Sequence, residues 1–219
     1  SEARNIGFKI ATGEFIGFVD PDDFIELNFY EKLYNAAIKN NCDIACANVI
    51  RENYKKKKVL IKYTKEQIVK TIKEKFKFAC LPEHCYIWNK IYNREKLIDS
   101  GITFKKEMVY EDMIYSPEVV EALGDMVIVP DVCYHYWIND SSIVKNKSDK
   151  CRADKIIAQR HIINTCNKYN IKTLKRENLI YKREYYFWGI KIFKIYVYKA
   201  TKKYFLFGIL PVLTMKDYV

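Results

Sequence analysis

Residues 3–23 read ARNIGFKIATGEFIGFVDPDD, and this stretch decides the fold. Glu2 to Thr12 puts Ala3, Ile6, Ile10 and Ala11 on one helical face, and Gly13 stands where a C-cap precedes a strand. Glu14 to Val19 (EFIGFV) is apolar and aromatic, as an internal strand is, and it runs directly into Asp20-Pro21-Asp22-Asp23. Helix followed by strand predicts an α/β layer. Three carboxylates in four residues repel one another, so a loop that gathers them at a strand's C-terminal end calls for a cation.

Outward from that loop, Glu26 to Asn40 spaces Leu27, Tyr30, Leu33, Tyr34, Ala37 and Ile38 at helical intervals. Asp43 to Val49 (DIACANV) predicts a second strand alongside the first. Arg51 to Tyr63 reads as a basic turn at Lys55–Lys58, a solvated face, followed by an edge strand. Thr64-Lys65-Glu66-Gln67 fits a capping box for a helix reaching about Phe76. The aromatic stretch Cys80 to Ile91 leads into a short helix over Asn93 to Ser100, closed by Gly101. Glu111-Asp112 opens a further helix, with Pro117 tolerable in its first turns. Met126 to Val132 and Cys133 to Ile138 read as strands, and the pattern from Ser148 to about residue 204 reads as helical.

The composition fits a folded chain. With 219 residues and 49% hydrophobic content there is enough apolar material for a sizeable core, and no Gly/Ser linker or low-complexity tract interrupts it. SEARNIGFKI is polar and helix-like, which is not the pattern of a signal peptide. Seven cysteines, an odd number without CxxC spacing, read as reduced thiols of a cytosolic protein. The net charge of +11 is unevenly spread: residues 1–50 hold 4 basic and 8 acidic side chains, residues 51–144 hold 16 and 14, and residues 145–219 hold 18 and 5. The excess lies at the C-terminal end, which predicts an anionic partner there and a cation at the front. A boundary near 145 therefore divides the chain into 1–145 and 146–219.

A D-x-D arrangement at a strand's end suits a divalent cation that bridges a nucleotide sugar's diphosphate, because its oxygen ligands match Mg²⁺ or Mn²⁺. Ala3-Arg4-Asn5, Gly7, Ala11, Gly13-Glu14, Ile16 and Asp20-Pro21-Asp22-Asp23, with Trp88-Asn89-Lys90, Glu111-Asp112 and Tyr134 to Ile143 (YHYWINDSSI), together resemble the GT-A-fold glycosyltransferases of family 2. The resemblance implies an α/β, Rossmann-like mixed sheet of GT-A type. In this reading the sheet is N-terminally truncated, 1–145 is the C-terminal portion of the catalytic domain, and 146–219 is a helical, basic and aromatic extension. About seventy residues carrying a nucleotide-binding strand and loop would precede Ser1.

By the same resemblance, Asp20 and Asp22 hold Mn²⁺ or Mg²⁺, and Arg4, Asn5 and Asp20 meet the donor diphosphate. Asp112 is the base that deprotonates an acceptor hydroxyl, with Glu111 orienting it or raising its pKa. Trp88 and Lys90 are candidates for acceptor contact. Trp137 stands where the family often has Arg, and His135, one strand step earlier, is the candidate to replace it at the phosphate or metal. The implied reaction is transfer from a UDP-sugar or similar donor to a glycan or lipid-linked acceptor, with inversion, in surface polysaccharide or lipooligosaccharide assembly.

Blander readings stand beside these. The acidic loop could simply cap the helix that follows it, Glu111-Asp112 could cap theirs, and Arg4 could form a surface ion pair. Cys80, His84 and Cys85 with Cys133 and His135 match no familiar zinc spacing and read better as packed side chains, as does His161. The run Tyr204 to Met215 is too short to span a bilayer. Residues 181–219 could instead lie at the inner face of the cytoplasmic membrane as a basic, aromatic helix, or pack back on the domain. The rival function is a non-catalytic basic module on anionic membrane or nucleic acid, although no RNA-reading motif is present and no nucleic acid is expected.

Overall fold

The structure, a computed structural model, describes residues 1–138 and 148–171 in full and, beyond these, the backbone of strands 179–187, 190–198, 201–206 and 210–216. The chain divides into two compact units, Ser1–Ile171 and Lys172–Val219.

The first unit is built on a mixed sheet in the order β1 (Phe15–Gly17), β6 (Lys90–Asn93), β3 (Ile44–Glu52), β7 (Met126–Trp137), β2 (Phe24–Ile25), with β4 (Lys57–Ile61) on β3 and β5 (Gln67–Val69) on β7. Only β3 and β7 run parallel. The strand read as running alongside β1 is β3, and β6 lies between the two, pairing antiparallel with each. The first six residues of β3 are buried without alternation, as a central strand covered on both faces requires. Helix α2 (Phe29–Lys39) buries Phe29, Leu33, Ala36 and Ala37 against the core. Helix α5 (Asp112–Ala122) contributes Tyr115, Val119 and Val120, and packs on α3 (Ile72–Phe78) and α6 (Asp149–Lys168).

One irregularity aims the site. The segments read as separate strands 126–132 and 133–138 are one strand, and its register on β3 jumps from Ala47↔Val129 to Asn48↔Cys133. Pro130, which has no N–H for a ladder, sits in that jump, and the Asn48 side chain fills it by donating to the Pro130 carbonyl and accepting from the Tyr63 N–H. Beyond the jump, Tyr134 and His135 pair with β2 and so reach the acidic loop.

Other expectations are corrected. Helix α1 (Glu2–Ile10) forms, but Ile6 and Ile10 face solvent, and only Phe8 and Ala11 at this end pack on the core. The polar contacts of Arg4 and Asn5 hold it. The helix expected from Thr64 is α3, which begins after Thr71; its capping box is Thr71/Glu74, and Gln67–Val69 is a strand instead. Helix α4 (Arg94–Asp99) ends before Gly101, whose φ of +66° makes glycine the fitting residue there.

The extension read as helical is helical only through α6, which belongs to the first unit, so the division falls at 171/172 rather than 145/146. Beyond it, β8 (Leu179–Phe187), β9 (Ile190–Tyr198), β10 (Thr201–Leu206) and β11 (Leu210–Lys216) form a separate antiparallel sheet in the order β11-β10-β9-β8. Alternating aromatic and basic residues fit period 2 as well as a helix, and β-branched and aromatic content favours the strand. Ile138 ends the described part of the YHYWINDSSI motif.

Candidate active site

The acidic loop is held by the far end of β7. Asp23 accepts from the Tyr134 hydroxyl at 2.8 Å and from the Trp137 N–H at 2.8 Å, while the Asp20 N–H donates to the Tyr134 oxygen at 3.1 Å. Burial pushes the Asp23 carboxyl up to about 6; the two hydrogen bonds oppose this, and the nearby charges of Asp20 and Asp22 reinforce it. Asp23 is thus the structural member of the three. Asp22 is exposed and makes no side-chain hydrogen bond among the described residues.

Arg4 joins this loop to the start of α5. Its guanidinium donates to Asp20 at 2.6 Å and to Glu111 at 2.7 Å, and packs over the Phe104 ring 5.5 Å from its centroid. Burial would lower its pKa, but Asp20 and Glu111 more than offset that, so the ion stays charged. Asp112 follows as the first residue of α5 and accepts from the Met113 N–H at 3.0 Å. Its carboxyl is pushed up to about 6, first by burial and then by the charge of Glu111, against the pull of the Met113 N–H and Arg4. Tyr110, just before, has φ of +65°, a costly conformation for a bulky residue, at the turn that delivers the two acids.

The fork of Arg4 is what two separate carboxylates need, and a single ammonium cannot replace it. Arg4→Ala is therefore expected to cost about 1 kcal/mol, discounted for partial exposure, and to lower Tm by roughly 2–4 °C, with Arg4→Lys rescuing little. Thermal melts of the three proteins check this, and equal Tm values would show the bridge to be incidental.

Four candidates are placed elsewhere. Both ends of the Asn5 amide are taken by the backbone of Phe104, at 2.9 and 3.0 Å, so Asn5 anchors the 102–106 segment and offers nothing to a diphosphate. His135 is buried, stacked on Phe24 at 4.5 Å, with Nδ1 against Glu52 and Nε2 3.6 Å from Glu26. Both nitrogens face carboxylates, so it is a poor replacement for a phosphate-binding Arg. Trp88 is 5% exposed, and Lys90 is fully buried, with its ammonium donating to the Tyr86 carbonyl at 2.6 Å and to Asn89 at 2.8 Å. Both are enclosed in the core, so neither presents its side chain to a ligand at the surface. His161 pairs with Glu118 at 3.2 Å, between α6 and α5.

Among the described residues no group of three or more His, Cys, Asp or Glu side chains is arranged to hold a metal by itself, and no disulfide joins any of the seven cysteines. That leaves Asp22 and the free side of Asp20 as one or two hard oxygen donors, the number a Mg²⁺- or Mn²⁺-type ion takes when substrate phosphates complete its shell. A groove along the open edge of β1, lined by Phe15, Gly17, Tyr30 and Tyr34, contains none of these carboxylates.

Residues 1–101 match the family model described as Glycosyl transferase family 2. Over this stretch the chain is similar to that family. It is 25% identical over 150 residues to the uncharacterized glycosyltransferase EpsJ of Bacillus subtilis, covering 66% of this chain and 44% of EpsJ. It is 24% identical over 225 residues to the cholesterol galactosyltransferase of Borreliella burgdorferi, covering 93% and 62%. The S. aureus TarS 1-349 structure in complex with UDP-GlcNAc superposes with a TM-score of 0.57 at 20% identity, covering 74% of this chain and 46% of that one. The fold is therefore GT-A-like, and the chain spans less than two thirds of these relatives.

Proposed function

We propose that this chain is part of an inverting glycosyltransferase that moves a sugar from a nucleotide-sugar donor, a UDP-sugar, to a glycan or lipid-linked acceptor in surface polysaccharide or lipooligosaccharide synthesis. The observation that carries this reading is the Arg4 bridge, which ties the acidic loop through Asp20 to Glu111 and so to Asp112, 92 positions further along the chain than Asp20. A cation site and a carboxylate of raised pKa are the two parts that a single displacement needs. Asp22 with Asp20 would hold Mn²⁺ or Mg²⁺, which when bound supplies charge neutralisation to the departing diphosphate. Asp112 takes the acceptor proton, and Glu111 keeps Asp112 basic while holding Arg4. The UDP-GlcNAc in the TarS complex and the name of the galactosyltransferase support a nucleotide-sugar donor.

Among the described residues no helix is long and apolar enough to cross a membrane. The 18 basic against 5 acidic side chains of residues 145–219 support a peripheral contact with anionic lipid at the cytoplasmic face, through a segment whose described backbone beyond residue 171 is strand and not helix. Incubation of the full-length protein of which this chain is part with UDP-glucose, UDP-galactose or UDP-GlcNAc and Mn²⁺ tests the function. Release of UDP that is abolished by chelator is expected, and no release from any of the three would refute the donor class.

A further inference from the structure

A stack of rings that the donor chemistry does not use reaches the acidic loop through Tyr134, whose hydroxyl donates to Asp23. His84, Tyr86, Trp88 and Tyr134 follow one another with centroids 5.0, 4.2 and 4.0 Å apart and planes within 23° of parallel. Tyr136 joins from β7, 5.8 Å from Trp88 and 6.4 Å from Tyr86, and the Arg51 guanidinium lies over its ring at 5.6 Å. Trp88 and Tyr134 are buried, whereas Tyr86 and Tyr136 are partly exposed. The faces of Tyr86 are covered by His84 and Trp88, so these rings offer a ligand their hydroxyl-bearing edges and not a flat stacking surface.

Tyr136 stands on β7 between Tyr134 and Trp137, whose hydroxyl and N–H hold Asp23 of the acidic loop. The Tyr86 phenol is pushed up to about 12, chiefly by burial and then by Tyr136, with the charge of Asp112 adding to the shift and Arg51 opposing it. The Tyr136 phenol is raised by burial and by all three carboxylates of the acidic loop, Asp23, Asp22 and Asp20, again against Arg51. One hydroxyl therefore lies within electrostatic reach of Asp112 and the other within reach of the acidic loop. Among the described residues neither has a hydrogen-bond partner, whereas the Tyr134 hydroxyl is engaged by Asp20 and Asp23.

We propose that Tyr86 and Tyr136 form the acceptor subsite, gripping adjacent hydroxyls of a pyranose ring so that a further hydroxyl of that ring meets Asp112. This rests on the transferase reading above and assigns the acceptor side of the same cleft. A neutral phenol both donates and accepts one hydrogen bond, which matches the alternating donors and acceptors of vicinal sugar hydroxyls. Held in a stack, it loses little side-chain entropy on binding. The buried Trp88 and the ammonium of Lys90, tied to the Tyr86 carbonyl, are positioning residues for Tyr86.

The test is saturation-transfer NMR on the full 219-residue chain with methyl β-D-glucopyranoside, methyl β-D-galactopyranoside and methyl N-acetyl-β-D-glucosaminide, without donor. At least one is expected to bind. Tyr86→Phe and Tyr136→Phe are each expected to weaken it about three- to tenfold and the double variant more, since each removes one neutral hydrogen bond, while the melting temperature stays unchanged because every ring remains. Binding unaltered in the double variant, or no binding by any of the three, overturns the subsite. Because no donor enters this assay, the two readings fail separately. Phenol-dependent glycoside binding without turnover of any UDP-sugar sustains the subsite and refutes the transferase, and turnover with the acceptor KM unchanged in the double variant does the reverse.

Discussion

Asp112→Asn is expected to lower sugar transfer by about 10²–10⁴-fold, the usual contribution of a positioned general base, with melting behaviour close to that of the parent. Asparagine keeps the acceptor oxygen that meets the Met113 N–H, so α5 keeps its start. What is lost is the proton acceptor. Since the Asp112 carboxyl titrates near 6, transfer by the parent falls as pH drops through about 6, where the base becomes protonated. The stability linkage has the opposite sense. A carboxyl whose folded pKa is raised favours the folded state while protonated, and that contribution is lost as pH rises through about 6. Glu111→Gln removes the like charge and frees Arg4 to act on Asp112, so the acid limb of the rate profile should move to lower pH. Measuring kcat/KM from pH 4.5 to 8 for the three proteins decides the matter, and an asparagine variant with parental rates would remove Asp112 from the chemistry.

How far the sequence reaches is visible residue by residue. The strand-to-loop passage at Val19-Asp20 and the two acids opening α5 are local patterns, and both are legible. The division of labour within Asp20-Pro21-Asp22-Asp23 is not, because three carboxylates look alike until Tyr134 and Trp137 on β7 claim Asp23 from 111 and 114 residues away. The partners of Asn5 and His135 are equally invisible in the sequence, being the backbone of Phe104 and the carboxylate of Glu52, 99 and 83 residues distant. A motif shows that a polar side chain is present and not what already occupies it.

Burial misleads in a second way. Trp88-Asn89-Lys90 runs into β6, which lies between β1 and β3, so even the lysine is enclosed and tied to local carbonyl oxygens. The signal for Tyr86 and Tyr136 was present in the alternation of aromatic residues at 84, 86, 88 and at 134, 136, but it gains meaning only when β7 brings the two sets together. Thr64 and Thr71 both open a Thr-x-x-Glu/Gln pattern, and only tertiary pairing of Gln67–Val69 with β7 selects the second as the helix cap.

The separation of Asp22 from Asp23 yields a contrast that two adjacent alanine substitutions can expose. Asp22→Ala removes an exposed carboxylate that supports no part of the loop, so melting should change by less than about 0.5 kcal/mol, as for an ordinary surface site. If that carboxylate holds the cation, metal-dependent UDP-sugar turnover should fall at least about 10²-fold, roughly 2.7 kcal/mol of lost transition-state stabilisation. Asp23→Ala strands the Tyr134 hydroxyl and the Trp137 N–H, at a cost of about 1–3 kcal/mol in stability. Its turnover should drop only as far as the loop loses its seat, and should recover in part at raised Mn²⁺, whereas Asp22→Ala should not recover. Mn²⁺ titrations of rate alongside urea melts distinguish the two variants. Parental turnover in Asp22→Ala would remove Asp22 as a ligand of the cation, because Asp23 is engaged by β7 and Asp20 offers only the oxygen that Arg4 leaves free, a single donor on which tight metal dependence should not survive.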